Sequence, residues 1–169
     1  MAEIKKLQAL STQEIDSYLK DDEGLLKLVS YCVNVFNCID KINFAIKDRQ
    51  IMDGHSTDEN LCKVAGYRGF LSPILSAMMT HLDSIKTEKY LDYEKNVMSL
   101  NQAETTKRAV AFSSTTAEHH AENGLKDLII FKNRLYSYNA QCETLITILQ
   151  SKLKYYISTN QSTRISNQG

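Results

Sequence analysis

Between Leu125 and Ile157 apolar residues recur in alternating steps of three and four, and no other stretch constrains the fold as strongly. Read as one helix, it puts Leu125, Lys132, Asn139, Ile146 and Leu153 at one heptad position. Leu128, Leu135, Cys142, Leu149 and Tyr156 fall at the other. That alternation is the seam of a packed helix. Ile129, Phe131, Tyr136, Tyr138, Leu145 and Ile157 widen the stripe. A helix this wide buries against two or more neighbours.

The rest of the chain supplies helical neighbours. One proline and six glycines in 169 residues leave little punctuation for strands and turns. Ser11-Thr-Gln-Glu14 is a capping box with Leu10 and Ile15 placed as its hydrophobic staple, and opens a short helix to about Lys20. Asp21-Asp22-Glu23-Gly24 caps a second helix over 23–50, whose stripe is Leu25, Val29, Cys32, Phe36, Ile39 and Ile46, widened by Leu28, Val33, Val35 and Ile42. Asp53-Gly54 is a turn, and Ser56-Thr-Asp-Glu59 opens a short helix over 57–65 that ends near Gly66. Ser72-Pro73 carries the strongest start signal, a serine cap with proline at the first helical position. The helix it opens, 73–98, turns from apolar to charged after Leu91 and is expected to project into solvent. A further helix over 102–113 is expected to break at Ser113–Thr116 and again at Asn123-Gly124. The polar run 158–169 is expected to be disordered. The expected fold is all-α: a helical bundle forming one domain over 1–157, with a long C-terminal helix and a projecting helical extension.

Four scattered cysteines without a CxxC pair fit a reducing compartment. The N-terminus has no apolar segment of signal-peptide length, and no window approaches 18 apolar residues. A soluble, cytoplasmic protein without a membrane partner is the expectation.

Candidate chemistry is sparse. Glu118-His119-His120-Ala-Glu122 is the one cluster resembling metal ligands, but His55 and His81 have no partner at ligand spacing, so a polar helix start is favoured and no metal is expected. GxSxG, Walker, GxGxxG and HExxH motifs are missing, and no catalytic residue, cofactor or small-molecule substrate is assigned. Cys142, on the seam, reads as a structural thiol, and the charges of 88–95 as a solvated face. The chain reads as non-enzymatic.

Charge is more informative. The formal net charge is zero, yet from Lys126 onward six basic residues face two acids, leaving −4 on the first 125 residues. Such asymmetry marks an anion-binding end or complementary surfaces that meet in an oligomer. For the first, Lys126, Lys132, Arg134, Lys152, Lys154 and Tyr155 are the candidate nucleic-acid-binding residues, since cations track phosphates and an aromatic face accepts any base. Five such cations predict a log–log salt slope of roughly −3 to −4 on single-stranded DNA. For the second, Leu128, Leu135, Asn139, Cys142 and Leu149 are the candidate homo-oligomer interface. Lys132 and Asn139 either fix helix register there or point outward.

The layout from Ser72 onward resembles the UvsY-type recombination mediators of tailed phages: a capped helix, a charged extension with Lys89-Tyr90-Leu-Asp-Tyr93, a polar connection, then a long basic closing helix. That resemblance covers about the last hundred residues and implies a ring of small helical subunits that binds single-stranded DNA and helps load a recombinase in a bacterial host cell. The competing expectation is a structural or adaptor module of a phage or bacterial complex that touches no nucleic acid.

Overall fold

The structure, a computed structural model, describes residues 10–48, 53–103, 112–122 and 124–166. Helices make up 92% of these, and there is no strand among them. In chain order they are α1 (Thr12–Tyr18), α2 (Asp22–Lys47), α3 (Gly54–Ala103), α4 (Ser114–Glu122) and α5 (Lys126–Ser166).

The first two helices start where the sequence places them. Ser11 Oγ accepts from the Glu14 amide at 3.3 Å, and Glu14 Oε2 accepts from the Ser11 amide at 2.7 Å, so the box closes both ways. Asp21 Oδ1 accepts from the Gly24 amide at 2.6 Å and caps α2. Gly24 is buried because a Cβ there would lie 2.7 Å from the Tyr18 carbonyl oxygen; only glycine lets α1 fold back this closely on α2. The core of α2 is Leu28, Cys32, Val35, Phe36, Ile39 and Ile42. Leu25, Val29 and Ile46 are half-buried and Val33 is exposed, so the stripe is rotated slightly from the expected one. The expected end at Gln50 lies outside the described residues.

α3 corrects the sequence reading most. Its cap is Asp53, whose Oδ1 accepts from the Ser56 amide at 2.7 Å, rather than Ser56. From Gly54 it runs unbroken for 50 residues through Gly66, Gly69 and Ser72, with Pro73 inside it. The local breakers lose to burial. Val64, Tyr67, Phe70, Leu71, Ile74 and Leu75 are all at most 9% exposed. Burying such side chains contributes about 1.5–3 kcal/mol each. Two helical glycines cost about 1 kcal/mol each and an interior proline about 3 kcal/mol. The continuous stripe wins.

Residues 104–111 of the expected 102–113 helix are not described. The hydroxyl run at 113–116 starts a helix where a break was expected: Ser113 Oγ accepts from the Thr116 amide at 3.3 Å, and its carbonyl from Ala117 at 3.0 Å. Gly124, at φ +83°, supplies the expected break before α5. The tail expected to be disordered from 158 is helical to Ser166. Ser158 Oγ and Thr159 Oγ1 both donate to the Tyr155 carbonyl at 2.9 Å, and no glycine or proline intervenes before Gly169. Residues 167–169 are not described.

Where the sequence suggests one domain over 1–157, contacts group the chain into two compact units, residues 1–75 with 134–169, and Ser76–Asn133. In the first, Arg68 Nη2 meets Glu143 Oε1 at 2.6 Å, and Ser72 Oγ donates to Asn139 Oδ1 at 2.9 Å. One turn forward on α3 is one turn back on α5, so the two are antiparallel. Phe36 of α2 stacks on Tyr138 of α5 at 4.0 Å and 10°, and the Tyr138 hydroxyl donates to Asp40 at 2.8 Å. α5 thus pairs with both α2 and α3, in a helical bundle that also carries α1. The second unit joins Ser76–Ala103 of α3, α4 and Lys126–Asn133 of α5 around Met78, Leu82, Val97, Ala117, Ala121, Leu125 and Phe131.

Candidate functional site

α5 carries every residue assigned to a site from sequence, and burial sorts them. Leu135, Cys142 and Leu149 are 0% exposed within the single chain. They are buried within the chain itself, whereas the sequence pattern places them between copies: periodicity reports that a face is buried, not by what. Asn139 is half-buried and accepts from Ser72. Leu128 and Lys132 are half-buried.

Among the cations, Lys126, Arg134 and Lys154 are exposed and Lys132 and Lys152 half-buried. Ion pairs among the described residues engage Lys27, Lys63, Arg68, Lys86 and Lys95, and none of the five cations assigned on α5. Those of α5 in the three-helix unit do not form one stripe. Arg134 and Lys152 are five turns apart, about 27 Å, on the Tyr138 flank that faces α2. Lys154 is about 160° away, on the flank where Asn139 and Glu143 meet α3. Lys126 and Lys132 belong to the other unit.

The tyrosines divide as clearly. Tyr138 is held by Phe36 and Asp40, and burial followed by the Asp40 hydrogen bond pushes its phenol up. Tyr156 is half-buried, edge-on to Tyr155, with its Cβ 3.7 Å from where a Gly54 side chain would begin. Tyr136 and Tyr155 are each 66% exposed.

Two features escaped the sequence reading. In the unit Ser76–Asn133, α3 and α4 enclose an open groove of about 460 Å³, lined by Lys86, Thr87, Tyr90, Leu91, Glu118, His119, Ala121 and Glu122. Lys86 Nζ meets Glu122 Oε1 at 2.8 Å, and that hydrogen bond and charge, with His119 nearby, hold the Glu122 carboxyl below its usual range. Tyr93 packs on His120 at 5.4 Å, and Phe112 closes edge-on over Tyr90 at 5.8 Å. No three His, Cys, Asp or Glu among the described residues converge on a metal position. A link spanning 36 residues leaves no local pattern to find. The second feature is Leu26, Val33 and Phe44 on α2, at 70%, 39% and 61% exposure. Their spacings of seven and eleven put them on one line, opposite the core face. That spacing is visible in the sequence, where the stripe expected for this helix includes Val33.

The two buried thiols offer little nucleophilic chemistry. Burial pushes Cys32 up to about 12 and Cys142 up to about 11. Burial first, then a hydrogen bond with Cys38, raises Tyr67 to about 12. No described helix is long and apolar enough to cross a membrane. No family model, no curated protein and no solved structure matches this chain.

Proposed function

We propose that the chain is a helical assembly module that works by binding, and that the α5 cations dock on acidic protein surface, that of a second copy first of all. One observation carries this reading. The chain has 20 basic and 20 acidic residues, yet the cations assigned on α5 have no acidic partner among the described residues. In a neutral chain, unmatched cations on one element leave unmatched acids elsewhere, which is the requirement for copies to attract in one orientation. The split of the cations over two flanks suits contacts to more than one neighbour. Light scattering over a concentration series tests it: mass should exceed the monomer at about 50 mM salt and return to it at about 500 mM, where screening is short. A monomer at tens of micromolar in low salt removes the reading.

A second reading, a recombination accessory protein that binds single-stranded DNA and works beside a recombinase, is favoured by the exposed rings of Tyr136 and Tyr155 on the same helix as these cations. A strand tracking the Arg134–Lys152 flank alone would displace two counterions and give a slope of about −1.4; one reaching all five cations would give about −3.5. Fluorescence anisotropy of a labelled oligonucleotide against salt separates the two, and absence of binding at about 50 mM salt ends this reading.

A further inference from the structure

No further inference is drawn: the strongest candidate, the outward apolar line of Leu26, Val33 and Phe44 on α2, is an unpartnered helix face, and nothing in the structure shows what covers it.

Discussion

Gly24 and Gly69 are both helical glycines, and their surroundings give substitutions of opposite sign. At Gly24 an added Cβ meets the Tyr18 oxygen at 2.7 Å and its Cα at 2.9 Å, both backbone atoms that cannot step aside. Gly24→Ala should cost about 1–3 kcal/mol in urea unfolding. At Gly69 nothing lies within 4 Å, so Gly69→Ala should stabilise by about 0.5–1 kcal/mol through helix propensity alone. Thiol reactivity follows burial in the same way. Exposed Cys62 should alkylate first at mild alkaline pH, and Cys32 and Cys142 only as the chain unfolds, read by mass spectrometry of quenched samples. Acid stability can be assigned as well. Glu14, Asp53, Glu59 and Glu122 are held below their usual values, first by hydrogen bonds from Ser11, Ser56, Lys63 and Lys86 respectively. The unfolded chain therefore binds more protons than the folded one at mildly acidic pH. Their contribution is complete above the unfolded carboxylate values and is lost as pH falls through the lowered folded ones. Lys86→Met removes the largest cause of the lowering at Glu122, and should make the fall of the urea midpoint with acidification shallower.

Among elements, the caps of α1 and α2 were legible and continuity was not. Ser11–Glu14 and Asp21 act within four residues of themselves, so a local pattern contains all the physics. The union of two expected helices into α3 depends on burial of Tyr67, Phe70, Leu71 and Ile74, which a local sequence pattern does not contain. Gly66, Gly69 and Ser72-Pro73 gave a correct account of local preference and a wrong helix. The proline still costs something: it has no N–H to donate to the Gly69 carbonyl. Pro73 is exposed, so Pro73→Ala should restore that bond without disturbing packing and stabilise by about 2 kcal/mol, seen as a raised melting temperature. An unchanged or lowered melting temperature would mean that the packing of α3 requires the proline itself. The seam of α5 shows the same limit from the other side. Leu135, Cys142 and Leu149 were recognised as buried, but only distant partners determine whether the cover is another element or another copy.

For the whole molecule, zero formal net charge is a complication as well as a clue. Copies without net charge lack long-range repulsion and associate nonspecifically, so salt-sensitive association alone does not establish a site on α5. Charge reversal at matched positions separates the causes. Arg134→Glu with Lys154→Glu takes the net charge from zero to −4. Lys20→Glu with Lys41→Glu makes the same change at two other exposed cations that also lie outside the ion pairs. None of the four side chains is buried, so both double variants should keep the helical circular dichroism and melt within about 1 kcal/mol of the parent chain. If association comes only from absence of repulsion, the two variants dissociate equally. If it comes from α5 cations meeting acids of a neighbour, Arg134→Glu with Lys154→Glu should be monomeric at low salt, while Lys20→Glu with Lys41→Glu keeps most of its associated mass. Mixing the monomeric variant with parent chain extends the test. A partner that has lost its cations but kept its acids should still accept the parent's α5, giving mixed assemblies that stop growing where the variant is incorporated. Equal loss in both variants would leave α5 without a docking role.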